Sequence, residues 1–345
     1  MDTTPPTAYE SARPDLAADV VVIGVGIAGL TSALLLAQSG KRVVLLEAGR
    51  VVTNITGFTT AKLTSNHGLI YKRLIDDFGK EKARIYAEAN TAGIQHVVNY
   101  AQQHGIDCDL QRMPSYTYGV SEDEKQKLID EAAAAQSCGL PAAYVEEVPL
   151  PFETVGAVKF EEQYIFHPRK YLLAIADQFA HAGGQIYENT RTIKIEEQDD
   201  ECLVTTEHGV VRAKDVIIAT NFPIYDPKLF FARLLPRRSY VLAVKLEGGF
   251  PAGMFYSTEE PEHSLRPHWS GTEQEIVLIG GETHQVGKGG DTVQRYRQLE
   301  EWARQNFSVR SVEYHWSTQD TETYDGVPMI GKLTSSTRHL CGDRL

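Results

Sequence analysis

The run Val20-Val21-Val22-Ile23-Gly24-Val25-Gly26-Ile27-Ala28-Gly29, continued by Leu30-Thr31-Ser32-Ala33-Leu34-Leu35-Leu36, reads as a buried strand, a glycine turn and a helix. Lys41-Arg42-Val43-Val44-Leu45-Leu46 reads as a second strand, and Glu47 ends it. Each glycine has a distinct task. Gly24 permits the tight turn, Gly26 lets backbone approach a pyrophosphate, and Gly29 allows helix and strand to pack closely. The helix opening at Ile27 and Ala28 offers free N–H groups and a positive dipole end to phosphate. Glu47 lies about 20 residues on, where an acid accepts hydrogen bonds from a ribose diol. A glycine pattern alone fits many loops. Strand, turn, helix, strand and acid in this order predict a dinucleotide-binding unit.

The 345-residue chain has room for two domains or one large one. A formal net charge of -12 argues against nucleic acid and against an anionic membrane surface as partners. The apolar run over 20–37 is split by glycines and preceded by Asp15 and Asp19, so it reads as strand plus helix, not as a membrane span or signal core. Cys108, Cys138, Cys202 and Cys341 are widely spaced. They predict reduced, buried thiols in a cytoplasmic protein, with no zinc knuckle or redox pair. His268 and His284 show no metal-ligand spacing, and no metal is assigned.

Residues 1–16, with three prolines, read as a mobile leader. Residues 69–105 have helical periodicity interrupted near Gly79. Residues 109–120 alternate as a strand. Ser121 and Glu124 form a capping box for the helix that follows, which ends near Gly139. Residues 185–197, 202–207 and 210–212 read as a β-meander. Residues 214–220 suit the centre of a parallel sheet. Residues 238–286 are β-rich, and 291–307 form one amphipathic helix. Dinucleotide-type segments thus alternate along the chain with antiparallel-type segments. The expected fold class is α/β, a Rossmann-like domain interleaved with a β-rich antiparallel substrate domain. The expected parts are 17–72, 166–236 and 320–345 for the first domain, and 73–165 and 237–319 for the second.

Four segments carry a family resemblance: the N-terminal unit ending in Glu47, the loop Thr56-Gly57-Phe58-Thr59-Thr60-Ala61, the strand Val216-Ile217-Ile218-Ala219-Thr220-Asn221, and Tyr324-Asp325-Gly326-Val327-Pro328-Met329-Ile330-Gly331. Over 18–340 the chain resembles FAD-dependent amine and amino-acid oxidoreductases of the D-amino-acid oxidase and glycine oxidase superfamily. Thr59-Thr60-Ala61-Lys62-Leu63-Thr64-Ser65 and Ser264-Leu265-Arg266-Pro267 are similar to members with an additional C-terminal Rieske domain. The resemblance implies FAD bound by Gly24, Gly26, Ile27, Ala28, Gly29, Glu47, Ala48, Thr59, Thr60, Ala61, Thr220, Asn221, Asp325, Gly326 and Ile330. FAD is long, so separate segments would hold its two ends. Some relatives attach flavin through a cysteine before the aspartate–glycine segment. Trp316-Ser317-Thr318 stands there, which implies non-covalent FAD.

The implied reaction is hydride transfer from a C–H beside an amine to the flavin, with oxygen or an electron-transfer acceptor completing turnover. It requires no dedicated acid–base residue if the amine binds neutral, so no catalytic residue is assigned. Arg266 either anchors a substrate carboxylate with two parallel hydrogen bonds or is a surface arginine beside Pro267. Tyr256, Tyr324 and His67 are pocket candidates, with packing tyrosines and a loop-capping histidine as the alternatives. Family members continue with a glycine-rich turn and a helix that Cys341-Gly342-Asp343-Arg344-Leu345 does not resemble, so the chain reads as C-terminally truncated and the cysteine–histidine motifs of a Rieske domain are absent. Two other readings stand beside the flavoenzyme. One is a nicotinamide-dependent dehydrogenase, which would keep its nucleotide domain contiguous. The other is a catalytically impaired FAD-binding remnant.

Overall fold

The computed structural model describes residues 4–343 apart from 54, 199, 223, 227, 228, 271, 272 and 334–338, with backbone alone at 230, 270, 273–275 and 339–343. The chain divides into two compact units. The first comprises Met1–Thr59, Pro168–Arg237 and Gln319–Leu345, the second Thr60–His167 and Arg238–Thr318.

The first unit is built on a mostly parallel sheet. Its strands run in the order Met329–Lys332, His339–Asp343, Gly209–Ile218, Leu16–Ile23, Val43–Leu46, Gln185–Tyr187. Val43–Leu46 is buried throughout, as expected for a strand covered on both faces. The Ile27–Gln38 helix buries Gly29, Leu30, Ala33, Leu34 and Ala37 as one stripe and packs against the Pro168–His181 helix. The core beneath includes Val21, Ile23, Val44, Leu46, Val216 and Ile218. Each such side chain contributes about 1.5–3 kcal/mol of burial.

Two expectations change here. Gln185–Tyr187 is not part of the meander. It pairs in parallel with Val44–Leu46, and only Thr192–Glu197, Cys202–Thr206 and the first half of Gly209–Ile218 form the antiparallel excursion. Residues 4–13 do not hang free as a leader. Thr7 and Tyr9 bond the buried Glu188 carboxylate, and Ala12 N donates to Thr190 Oγ1 at 3.0 Å. Arg169 binds Thr4 Oγ1 and the Pro5 carbonyl while also holding the carbonyls of Val51 and Val52. The prolines and polar residues gave no local sign of these partners, which lie more than 100 positions away in sequence.

The second unit carries a largely antiparallel sheet in the order Val309–Thr323, Leu234–Leu246, Glu273–Gln285, Ser264–Ser270, Met254–Ser257, Gln111–Gly119, Gly156–Ile165, Lys62–Leu63. Lys62–Leu63 pairs with Tyr164–Ile165, so the chain enters this unit after Thr59 and not near residue 72. Helices Tyr71–Phe78 and Lys80–Gln103 are separated by Gly79 at φ 85°, a backbone state that favours glycine. Ser121 N donates to Glu124 Oε2 at 3.0 Å before the Lys125–Ser137 helix. From that helix the buried Glu131 accepts from Tyr71 N at 2.7 Å and Lys72 N at 2.9 Å, capping Tyr71–Phe78 from outside. Tyr116 and Phe255 stack at 5.0 Å over a core with Tyr240, Leu265, Ile279, Leu299 and Phe307. Among the described residues, no helix is long and apolar enough to cross a membrane.

Candidate functional site

The parallel strands of the first unit end together. Leu16–Ile23 pairs on one side with Gly209–Ile218 and on the other with Val43–Leu46. Their C-terminal ends therefore bring Gly24–Gly29, Ala219–Asn221 and Glu47 to one edge of the sheet. Ligands of open α/β sheets bind at such edges.

The three glycines there differ in what surrounds them. Gly24 has φ +98°, and a Cβ on it would lie 2.4 Å from the Ala219 carbonyl oxygen. A Cβ on Gly29 would lie 1.9 Å from the Gly24 carbonyl oxygen. Both glycines are demanded by the fold itself. Gly26 is not: a Cβ there would meet only Thr56 Oγ1 within 4 Å, at 3.0 Å. Gly26 is the N-cap of Ile27–Gln38 and makes no side-chain cap, and no acid stands in the first turn. The first-turn N–H groups, those of Ile27 and Ala28 included, have no partner within the helix and no capping side chain at Gly26. This cradle fits a pyrophosphate.

Glu47 is buried at 7% exposure, and both carboxylate oxygens are held: Oε2 accepts from Val25 N at 3.0 Å and Oε1 from Gly49 N at 2.9 Å. A carboxylate oxygen that accepts from a backbone N–H can also accept from a diol hydroxyl. Ala48 beside it is exposed. Thr220 Oγ1 donates to the Phe222 carbonyl at 2.6 Å, and Asn221 adopts φ 66°. Thr59 closes the first segment of this unit and is half-buried. Asp325 and Gly326 form a closed turn. Asp325 Oδ1 accepts from Val327 N at 3.0 Å, Gly326 has φ 72°, and Thr323 Oγ1 donates to the Val327 carbonyl at 2.9 Å. Tyr324 and Ile330 stand out from it at 69% and 66% exposure. Of the chain's last five residues, 341–343 lie in the strand parallel to Gly209–Ile218, and 344 and 345 lie outside the described residues.

The second unit gathers a different set. Arg266 is 4% exposed, which removes the surface reading, and its Nη1 donates to the Ala61 carbonyl at 3.1 Å. Its Nε is buried with no partner. Ala61 holds φ 54°, so the arginine fixes a strained point of the threonine-rich loop. Lys62, which the sequence reading passed over, sits beside it. Its Nζ donates to Ser264 Oγ at 3.0 Å and Thr60 Oγ1 at 3.3 Å, and lies 4.7 Å above the Tyr256 ring. Burial first, and Arg266 second, pull the Lys62 ammonium down to about 7 against the opposing Glu262. Burial also lowers Arg266 to about 10, with Asp109 and Tyr256 opposing. A half-buried amine thus stands beside a buried guanidinium, and the guanidinium disfavours a second positive charge on the amine. His67 is exposed, with Nδ1 2.7 Å from the Tyr86 hydroxyl on the Lys80–Gln103 helix.

The sequence signal for Lys62 is faint. One lysine in a threonine-rich loop resembles any solvated loop lysine, and its environment is supplied by residues about 200 positions later.

Comparison with known proteins bears on both units. Residues 19–344 match the family model described as FAD dependent oxidoreductase, DAO. The chain is 34% identical over 329 residues to a Bacillus subtilis protein provisionally named as a Rieske 2Fe-2S iron-sulfur protein, YhfW. The match spans 95% of this chain and 64% of that one. Gamma-glutamylputrescine oxidoreductase of Escherichia coli is 24% identical, with 97% of this chain and 81% of the relative covered. Among solved structures, glycine oxidase from Geobacillus kaustophilus superposes with a TM-score of 0.76 at 17% identity, covering 95% of this chain and 89% of that one, which shows a shared fold. The family match extends across both units and almost the whole length, and the chain belongs to the DAO family of FAD-dependent oxidoreductases.

Proposed function

We propose that this chain oxidises the C–N bond of an amine or amino acid, with non-covalently bound FAD accepting the hydride. The observation that carries the reading is the family match over 19–344, joined to the uncapped helix end at Gly26. The same match favours flavin over nicotinamide. Gly24, Gly26, Ile27, Ala28 and Gly29 would hold the pyrophosphate, and Glu47 with Ala48 the ribose. Thr59, Thr60, Ala61, Thr220, Asn221, Asp325, Gly326 and Ile330 would line the rest of the cofactor. Bound FAD supplies the two-electron acceptor; the chain's residues bind and orient the substrate.

Arg266 is our candidate for the substrate carboxylate, because it is a buried guanidinium with one N–H unpartnered. Tyr256 walls the same patch. Oxygen or an electron-transfer acceptor takes up the electrons. No cysteine lies between Cys202 and Cys341, which supports non-covalent attachment. The buried free thiols of Cys108, Cys138 and Cys202 suit a cytoplasmic setting.

The test is acid precipitation of purified protein followed by identification of the released cofactor. FAD in the supernatant supports the proposal. Flavin retained in the pellet refutes the non-covalent assignment, and a nicotinamide nucleotide in its place refutes the reading.

A further inference from the structure

We propose that Lys62 accepts the proton that an amine substrate must shed before its C–H bond can be oxidised. The proposal rests on the amine-oxidation reading above and adds a residue to it. At neutral pH a substrate amine in water is an ammonium ion. An ammonium nitrogen has no lone pair to form the C=N bond that hydride departure requires. A nearby neutral base removes that obstacle.

Lys62 has the geometry for it. Its Nζ is positioned by Ser264 Oγ and Thr60 Oγ1, hydroxyls that can donate to a neutral amine or accept from an ammonium. The carboxylate that acts on it, Glu262, favours the charged form, and burial and Arg266 oppose it. The loop that carries it is fixed on both sides. Arg266 grips the Ala61 carbonyl before it. After it, Ser65 N donates to Gln163 Oε1 at 2.7 Å, while buried Asn66 joins Ser115 Oγ at 2.9 Å and Thr117 Oγ1 at 2.7 Å.

The charged and titratable groups around the amine are Arg266, Glu262 and Tyr256, with Asp109 acting on Arg266. Burial and Arg266 outweigh Glu262, which leaves a base that titrates near 7. A proton acceptor is most effective when it titrates near the working pH.

The proton balance is simple. One N–H bond of the substrate ammonium breaks, and its electron pair stays on the substrate nitrogen. The Lys62 lone pair forms the new N–H bond. The freed pair on the substrate nitrogen becomes the C=N bond as the C–H electron pair leaves with the hydride. Lys62 then returns its proton to solvent between turnovers.

Two measurements on the flavin-loaded protein test this. Competitive acetylation of lysines across the neutral range reads the ionisation of Lys62 without reference to activity. It should titrate near 7, apart from the surface lysines; titration together with the surface lysines overturns the proposal. The second is kcat/KM for an amine against pH. In wild type it should rise as Lys62 loses its proton through about 7. Lys62→Met should lower kcat/KM at neutral pH by about a hundredfold or more and abolish that rise. Lys62→Arg keeps a donor toward Ser264 but cannot take a proton, so it should not rescue. Rescue by Lys62→Arg, or a wild-type pH profile in Lys62→Met, overturns the role of Lys62 while leaving amine oxidation intact. If flavin-loaded wild type turns over no amine or amino acid, the functional reading fails, and this inference with it.

Discussion

Glu47 Oε2 accepts a hydrogen bond from Val25 N at 3.0 Å, tying the end of the second parallel strand to the middle of the glycine turn. The same carboxylate accepts from Gly49 N through its other oxygen. The carboxylate proposed for the ribose is thereby oriented by backbone N–H groups. Glu47→Ala should weaken FAD binding by about 1.5–3 kcal/mol, the range for a hydrogen bond to a charged group. It should also lower the apoprotein melting temperature, because Val25 N and Gly49 N lose their acceptor. Titration with FAD and an apoprotein melt measure the two effects separately. Unchanged FAD affinity would remove Glu47 from the cofactor site.

The glycines separate fold from ligand. Gly26→Ala puts a methyl group only against the movable Thr56 hydroxyl, at a backbone angle any residue adopts. Its apoprotein should melt within a few degrees of wild type while FAD affinity falls at least tenfold. Gly29→Ala drives a methyl group to 1.9 Å from a backbone carbonyl and should destabilise the apoprotein itself. Apoprotein melts and FAD titrations of both variants check the contrast. A Gly26→Ala protein with unchanged FAD affinity would contradict the pyrophosphate assignment.

Arg266→Lys tests the substrate anchor. Lysine keeps the charge but loses the planar fork. KM for amino acids should rise about tenfold or more, while KM for amines without a carboxylate changes little. Equal effects on both substrate classes would assign Arg266 solely to holding the Ala61 carbonyl.

His263 sets an acid limit on the fold. It is 3% exposed, stacks on Trp302 at 4.0 Å, and neither ring nitrogen has a hydrogen-bond partner. Burial lowers its titration to about 4 from an ordinary 6.5. Between these values the unfolded chain binds the extra proton, so stability rises with pH and is lost as pH falls through the window. The full loss is on the order of 3 kcal/mol. His263→Phe keeps a ring beside Trp302 and has nothing to titrate. Its melting temperature should fall less than that of wild type between pH 6.5 and 4. Parallel slopes would show that other groups govern acid unfolding.

Gly24 and Gly29 were legible in the sequence because their constraints are local: a positive φ, and a helix packed on its own preceding strand. The breaks at Gly79 and Gly139 were readable for the same reason, each with positive φ at a helix end. Residues 4–13 were not, since their anchors Glu188 and Arg169 are distant in sequence. Lys62 was missed on the same ground. A lysine after a threonine-rich loop is ordinarily solvated, and Ser264, Arg266 and Tyr256, about 200 positions later, give this one a half-buried setting. Gln185–Tyr187 was misassigned because a three-residue strand carries too little periodicity to reveal its partner.

Anaerobic addition of amines and amino acids to the purified, flavin-loaded protein tests the central claim most directly. The visible flavin absorption should bleach with one of these substrates, and an imine or its hydrolysis product should form in equal amount. Intact flavin absorption across both substrate classes, or protein that binds no FAD, would contradict the assignment of this chain as an FAD-dependent amine or amino-acid oxidoreductase.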